Sequence, residues 1–161
     1  MTRRSPRSCT MWSVSRGRNT KPEVALRSAL HRLGLRFRIH DGKLPGRPDI
    51  VFPKYRAAVQ VHGCFWHRHE GCRYATTPAS NREFWTGKFL ANAERDVRSR
   101  RALQDLGWRT AVVWECALKN GSESAVAADL RGWLKSTDLT ANFPEGRLCL
   151  QPKTEPKRRS G

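Results

Sequence analysis

The stretch His62-Gly63-Cys64-Phe65-Trp66-His67-Arg68-His69-Glu70-Gly71-Cys72 places three histidines and two cysteines within eleven residues. Cys64, His69 and Cys72 have the close spacing of zinc ligands, and a closed tetrahedral zinc site needs a fourth ligand. Cys116 is the natural candidate, because it follows the last strand-like run of the chain. We therefore predict a structural zinc site that joins these two parts of the chain.

The composition indicates a polyanionic partner. The 161 residues include 31 Lys and Arg against 14 Asp and Glu, which gives a net charge of +17. Such an excess is typical of proteins that bind nucleic acid. A charged solubility surface or a ribosome-like structural role would also produce it, but six Trp and six Phe indicate a packed domain rather than a basic tail protein.

Apolar runs and cysteines indicate the compartment. The sequence has no apolar run of the roughly 18 residues that a membrane helix needs, and its N-terminus has no apolar signal core. The five cysteines include Cys9 and Cys149, which lie in weakly patterned ends and are expected to bind no metal. The others cluster with histidine, which favours a reduced metal site in the cytoplasm over disulfides.

Periodicity predicts a single α/β domain with a central mixed sheet of about four strands flanked by helices. A capping box at Thr20–Glu23 begins a helix that buries Val24, and a second box at Ser80–Glu83 begins a long helix. That long helix is expected to bury Phe84, Phe89, Val97, Leu103 and Leu106. The predicted strands are 35–39, 49–52, 57–61 and 108–114, and the predicted helices are 20–33, 81–106 and 122–135. Around this domain (20–136) we expect a basic N-terminal arm (1–19) and a basic, disordered C-terminal tail (137–161).

A second metal site is predicted at Asp49, which begins a strand directly after Pro48. A hairpin brings Asp49 close to Gln60 and His62, which share one face of the next strand. An aspartate in this place suits magnesium, which activates water for phosphodiester hydrolysis. The spacing is that of a Pro-Asp, acid-x-Lys nuclease core, with Gln60 at the acid position and His62 at the lysine position.

Two further features of the cluster bear on function. With His69 assigned to zinc, His62 and His67 are available as general acids or bases. Phe65 and Trp66 are two large aromatic residues in a short loop. Such residues either wedge between DNA bases or pack in a core, and the spacing leaves both possibilities open.

Several blocks in consistent order, spanning roughly residues 10 to 135, resemble the very-short-patch-repair (Vsr) mismatch endonucleases. These blocks are Leu44–Asp49, His62–His69, Asn92–Asp96, Leu106–Arg109 and Val113–Leu118. The resemblance implies a restriction-endonuclease-like fold of the PD-(D/E)xK type. It also implies magnesium-dependent nicking of one strand 5′ to the thymine of a T:G mismatch, which forms when 5-methylcytosine deaminates.

The resemblance also implies roles for individual residues. Asp49 would bind magnesium directly, and the backbone carbonyl of Val61 would be a second ligand. His62 and Glu23 would hold metal-bound waters, and His67 would be the base that activates the attacking water. The structural zinc would be bound by Cys64, His69, Cys72 and Cys116. Residues expected to contact DNA are the wedge residues Phe65, Trp66 and Met11 and the basic residues Arg16, Arg18, Lys88 and Arg95.

Three functions follow from these observations. The first is a mismatch nickase that acts, as a monomer, on double-stranded DNA with a T:G mismatch. It would work in the bacterial cytoplasm, near the nucleoid, with a functional link to a DNA cytosine methyltransferase. The second is a Vsr-like nuclease of a defence or restriction system with another target. The third is a zinc-stabilised DNA-binding module whose catalysis has decayed.

Overall fold

A mixed five-stranded sheet with three α-helices forms the part of the chain that the structure, a computed structural model, describes, namely residues 19–144. The predicted arm residues Met11, Arg16 and Arg18, and the tail from residue 145 onward, lie outside this range. The elements are α1 (Lys21–Arg32), β1 (Arg38–Ile39), β2 (Ile50–Phe52), β3 (Ala57–His62), α2 (Arg82–Asp105), β4 (Arg109–Trp114), α3 (Glu123–Lys135) and β5 (Thr140–Phe143). Two 3₁₀ segments, Pro53–Tyr55 and Glu115–Gly121, follow β2 and β4.

The strands lie in the order of the chain. Strands β1, β2 and β3 are antiparallel, whereas β3, β4 and β5 are parallel. Ile50 pairs with Val59, and His62 pairs with Trp114. The start of β2 therefore lies beside the ends of β3 and β4. Asp49 and the Cys/His segment lie at this end of the strands.

Helices cover both faces of this sheet. Helices α1 and α3 pack on each other and bury a core of Leu26, Leu30, Phe52, Val59, Val113 and Leu130. Helix α2 packs on β4, and Gln104 Nε2 donates a hydrogen bond of 3.3 Å to Thr110 Oγ1. Because Ala111 and Val113 face the core and side chains alternate along a strand, Thr110 faces the opposite side, so α2 covers that face.

The predicted hairpin, the three helices and the β4 strand are confirmed, whereas the first strand is shorter than predicted and the sheet has one strand more. The strand predicted at 35–39 is reduced to Arg38–Ile39, and Ile39 is exposed. The sheet has five strands instead of about four, because β5 lies beyond the expected end of the domain at residue 136. Strand β5 is short, and its pattern of exposed Thr140 and Asn142 with buried Ala141 and Phe143 becomes clear only beside β4.

Four predicted core residues are exposed: Val24, Phe84, Val97 and Leu106. Three of them lie on or directly after α2, in which Phe89 and Leu103 alone are buried apolar residues. A 24-residue helix is about 36 Å long, whereas a six-residue strand spans roughly 20 Å. Much of α2 therefore extends past the sheet, and only a narrow stripe of its residues is covered.

Neither predicted capping box forms, because neither N-cap residue makes a side-chain capping hydrogen bond. At α1, Glu23 accepts hydrogen bonds from the Thr20 hydroxyl (2.9 Å) and from the backbone N–H of Asn19 (3.1 Å). At α2 the box is wrong, because the N-cap is Asn81 in a left-handed conformation without a side-chain capping bond. Within residues 19–144, no helix has both the length and the apolar character needed to cross a membrane.

Candidate active site and metal centre

Three side chains converge beside the start of β2, and we call them the carboxylate site: Glu23, His40 and Asp49. Glu23 comes from the first turn of α1, His40 follows β1, and Asp49 precedes β2. His40 Nε2 lies 3.7 Å from Glu23 Oε2, and His40 Nδ1 lies 3.8 Å from Asp49 Oδ1. Two carboxylates and an imidazole thus surround one small region in which a cation could bind.

Asp49 is oriented by the neighbouring strand. Its Oδ2 accepts a hydrogen bond of 2.7 Å from the backbone N–H of Val61. Burial raises the pKa of Asp49 to about 6; the Val61 hydrogen bond opposes this shift, and the nearby charge of Glu23 adds to it. The buried Glu23 and the partly buried Asp49 bring two like charges together, and a bound cation would offset them.

His40 was missed by sequence reasoning. A signal existed: the residue directly follows a predicted strand, and the pairing Ile39↔Ile50 puts it opposite Asp49. Its backbone N–H donates to the Asp49 carbonyl at 3.3 Å. The sequence did not show which residue of the strand at 49–52 pairs with Ile39, so the signal alone did not place His40 beside Asp49.

A second cluster holds His62, His67 and Asp96, with Asp96 on α2. The rings of His62 and His67 stack at 3.9 Å between centroids, and His67 Nδ1 lies 2.5 Å from Asp96 Oδ2. Burial lowers the pKa of His62 to about 3, so its ring is neutral at physiological pH. Burial alone would raise the pKa of Asp96, but the hydrogen bond from His67 and nearby positive charges outweigh it, and the pKa lies below its usual value.

The Cys/His cluster forms between the loop after β3 and the 3₁₀ segment after β4. Cys64, His69, Cys72 and Cys116 bring their ligand atoms within 4.8 Å of one another. His69 Nδ1 lies 3.3 Å from Cys116 Sγ and 3.7 Å from Cys64 Sγ. Burial raises the pKa of the Cys64 thiol to about 11. Three sulfurs and one imidazole nitrogen match the donor set of a structural zinc site.

Local turns build this loop. The backbone N–H groups of His67, His69 and Cys72 donate to the carbonyls of Gly63, Cys64 and His69, respectively. The His69 ring also stacks on Trp114 at 4.2 Å between centroids. The same short loop therefore presents His67 to Asp96 and His69 to the cysteines.

Phe65 and Trp66 belong to an aromatic cluster with residues of α2. Phe65 makes edge contacts with Trp66, Trp85 and Phe89 at 5.1 to 5.5 Å between ring centroids. Phe89 is buried, whereas 44% of Trp66 is exposed. Phe65 therefore packs inside the cluster and Trp66 reaches its surface. Sequence reasoning did not connect Trp85 with this loop, because the contact joins distant parts of the chain.

Two predicted DNA-contacting residues, Lys88 and Arg95, lie on the same side of α2 as Trp85 of the aromatic cluster. Lys88 and Arg95 are exposed, at positions three and ten residues after Trp85. Asn92, between them, donates from Nδ2 to the Trp66 carbonyl at 3.1 Å. Asp49 and His62 belong to two neighbouring groups of possible ligands, and Val61, the residue before His62, donates its backbone N–H to Asp49.

Comparisons with known proteins identify the family of the chain. The profile of the family described as "DNA mismatch endonuclease Vsr" matches residues 1–73. The "DNA mismatch endonuclease Vsr" of Escherichia coli is 43% identical over 129 residues, which cover 78% of this chain and 82% of that protein. The "Type II nicking enzyme V.XorIIP" of Xanthomonas oryzae pv. oryzae is 53% identical over 105 residues, which cover 65% of this chain and 76% of that protein. The "Type II nicking enzyme V.NmeAIP" of Neisseria meningitidis is 43% identical over 116 residues, which cover 72% and 81% of the two chains. With this identity over most of each relative, the chain belongs to the Vsr family of DNA mismatch endonucleases.

Proposed function

We propose that the protein is a magnesium-dependent endonuclease that nicks one DNA strand 5′ to the thymine of a T:G mismatch and so starts very short patch repair. The observation that supports this most is the adjacency of two groups. The carboxylate site supplies ligands for a cation, and next to it His67 is aligned by Asp96 as a base. Strand β3 joins the two groups, because Val61 donates its backbone N–H to Asp49 and the next residue, His62, stacks on His67.

The residues of the carboxylate site fit magnesium. Asp49 and the backbone carbonyl of Val61 would bind it directly, while Glu23 and His62 would hold its water molecules. A hard cation takes oxygen ligands and keeps several waters, and Glu23 and Asp49 provide carboxylate oxygens. When bound, magnesium would stabilise negative charge on the phosphodiester and favour ionisation of water. The hydrogen bond from Val61 N–H to Asp49 keeps the carboxylate beside that carbonyl group.

His67 would take the proton from the attacking water. Ionised Asp96 can only accept a hydrogen bond, so the proton is assigned to His67 Nδ1 and the lone pair to Nε2. A base needs such a lone pair, and a carboxylate behind the ring stabilises the imidazolium that forms. His62 stacks on His67 as a neutral ring and therefore adds no opposing positive charge.

Zinc would connect the loop after β3 to the end of β4. Cys64, His69, Cys72 and Cys116 would bind it, and His67 lies within the part of the loop that the zinc holds. Structural zinc sites contribute folding energy directly. The metal would thus position the base without taking part in the reaction.

The aromatic cluster and the basic face of α2 would contact the DNA. Trp66, supported by Phe65, would wedge between base pairs beside the mismatch, because the cost of unstacking is lower at a mismatched pair. Lys88 and Arg95 would bind phosphates on the same side. The arm residues Met11, Arg16 and Arg18 would complete this surface, with Met11 as a third wedge.

The biological setting is also part of the proposal. The enzyme would act as a monomer in the bacterial cytoplasm, near the nucleoid. A DNA cytosine methyltransferase would create the 5-methylcytosine whose deamination produces its substrate. A second candidate is a Vsr-like nickase of a restriction or defence system, favoured by the names of two of the three relatives, which are type II nicking enzymes. A decayed DNA-binding module is disfavoured by the alignment of His67 with Asp96.

A strand-specific nicking assay with magnesium tests this function. It compares a duplex that has a T:G mismatch in a CT(A/T)GG context with the same duplex containing T:A. We expect one nick, 5′ to the mismatched thymine. Equal cutting of both duplexes would mean that the protein is a nuclease without mismatch specificity. Binding without cutting would indicate the decayed DNA-binding module.

Two variants test the assigned chemistry, with His31→Ala as a control because His31 is an exposed histidine on α1. Asp49→Ala should abolish nicking with little loss of DNA binding. His67→Ala should slow nicking by about 10²- to 10⁴-fold, the usual contribution of a general base. Full activity in either variant would remove the role assigned to that residue.

A further inference from the structure

His40 occupies an unusual position between two carboxylates. Its side chain is 14% exposed and its Nε2 atom is buried, yet Nε2 has no hydrogen-bond partner. Each ring nitrogen faces one carboxylate, Nε2 toward Glu23 and Nδ1 toward Asp49. A buried polar atom without a partner is costly and rare, so this nitrogen requires an explanation.

Direct hydrogen bonds to Glu23 and Asp49 do not explain the position of His40 Nε2. The distances of 3.7 and 3.8 Å from His40 to the two carboxylates exceed the hydrogen-bond range. Glu23 already accepts bonds from Asn19 and Thr20, and Asp49 accepts one from Val61. The three side chains are therefore held apart by other partners, with one ligand atom of each within 4.8 Å of the others.

A shared cation accounts for this arrangement. Ligand atoms around one ion do not bond to one another, but they lie within a few ångströms of each other and point their lone pairs at the same place. The positive side chain of Arg27 lies on the Glu23 side of the site, with its Nη2 atom 3.9 Å from Glu23 Oε2. Arg27 is on α1, one turn after Glu23, and is hydrogen-bonded to Asn19 instead of His40.

We infer that His40 supplies a nitrogen ligand to the cation at Asp49 and so shifts the metal preference of this site toward manganese and softer divalent ions. Carboxylate, carbonyl and water ligands suit magnesium, calcium and manganese, whereas imidazole suits transition metals. A site in which one nitrogen joins the oxygen ligands should bind Mn²⁺ more tightly relative to Mg²⁺ than an all-oxygen site does. This inference rests on the proposed role of Asp49 as a cation ligand.

The first experiment measures the binding of Mn²⁺ and of Mg²⁺ separately, without DNA, by calorimetry on the full chain loaded with zinc. His40→Gln should weaken Mn²⁺ binding by at least about tenfold, the scale of losing a metal-site contact. Mg²⁺ binding should change much less. His31→Gln, the same substitution at an exposed histidine, should change neither. An unchanged ratio of the two dissociation constants in His40→Gln would overturn the inference.

Pulsed electron paramagnetic resonance of bound Mn²⁺ gives a second readout that needs no variant. A directly bound imidazole should produce ¹⁴N modulation in the natural protein. Absence of that modulation would refute the inference even if His40→Gln failed to fold.

Asp49→Ala separates this inference from the proposed function. If Asp49→Ala still binds Mn²⁺ and nicks DNA, the proposed function fails. If it loses both while His40→Gln keeps the natural metal ratio, only the role of His40 fails.

Discussion

Gly46 should tolerate no side chain, and the structure allows the effect of Gly46→Ala to be separated into two parts. Its φ is +71°, a conformation that L residues rarely adopt. A Cβ atom added there would lie 2.5 Å from Ser99 Cβ and 2.6 Å from Ser99 Oγ on α2. The loop of Gly46 leads directly to Pro48 and Asp49, so a shift of this loop would move the carboxylate site.

The magnitude follows from these two parts. Left-handed backbone costs about 1–2 kcal/mol for a residue with Cβ, and a gain of up to about 1 kcal/mol from the stiffer unfolded chain offsets part of it. Overpacking against a helix side chain adds about 1–3 kcal/mol. We therefore expect Gly46→Ala to lower the free energy of unfolding by about 2–4 kcal/mol.

Gly34→Ala is the matched control, because Gly34 has φ +76° but no atom within 4 Å of an added Cβ. It should lose only the backbone part, about 1 kcal/mol. Unfolding would be followed by tryptophan fluorescence in urea, with zinc present throughout. Ser99→Gly removes the atoms that the new Cβ would strike, so Gly46→Ala should lose about 1–3 kcal/mol less in that background.

Two results would refute this reasoning. Equal losses in Gly46→Ala and Gly34→Ala would mean that the contact with Ser99 does not matter. A loss in the Ser99→Gly background as large as in the natural chain would mean that the destabilisation comes from elsewhere.

Three further predictions concern the site. Asp96→Ala should slow single-turnover nicking by about 10²-fold while DNA affinity is kept, because His67 loses the carboxylate that aligns it. A nicking rate equal to that of the unsubstituted protein would show that Asp96 does not position His67. Cys72→Ser should lower both the zinc content, measured by atomic emission, and the melting temperature, whereas Cys149→Ser should change neither; a Cys72→Ser protein with full zinc and stability would exclude Cys72 as a ligand. Trp66→Ala should weaken binding to the mismatched duplex about 5- to 150-fold, the value of about 1–3 kcal/mol of stacking, and Leu90→Ala, at a similarly exposed position, should not; equal effects of the two in an anisotropy titration would argue against a specific wedge.

The cysteines and histidines of the cluster show what local spacing can predict. Cys64, His69 and Cys72 are connected by tight turns, so their separation in the sequence limits their separation in space. Cys116 was predictable because it directly follows a strand, and β4 runs parallel to β3. Short chain segments and the ends of neighbouring strands are constrained by local geometry, which explains why the four side chains could be grouped before the fold was known.

The partners of the proposed catalytic side chains show what spacing cannot predict. Asp96 lies in Asn92–Asp96, one of the blocks that resemble the Vsr endonucleases. Nothing in the sequence connected it with His67, 29 residues earlier. His40 and Trp85 were missed for the same reason. Each contact depends on where a helix or a loop lies relative to the sheet, which is the outcome of packing many residues at once.

The sequence by itself determined the class of the fold, the hairpin around Asp49 and the donor set of the Cys/His cluster, because these depend on periodicity and on short spacings. Only the tertiary structure decided that Asp49 and His62 belong to two neighbouring groups of possible ligands, that Val97 and Leu106 are exposed, and that β5 completes the sheet. Burial, and the pKa values that follow from it, depend on contacts between elements distant in the chain, and no local pattern of residues encodes them.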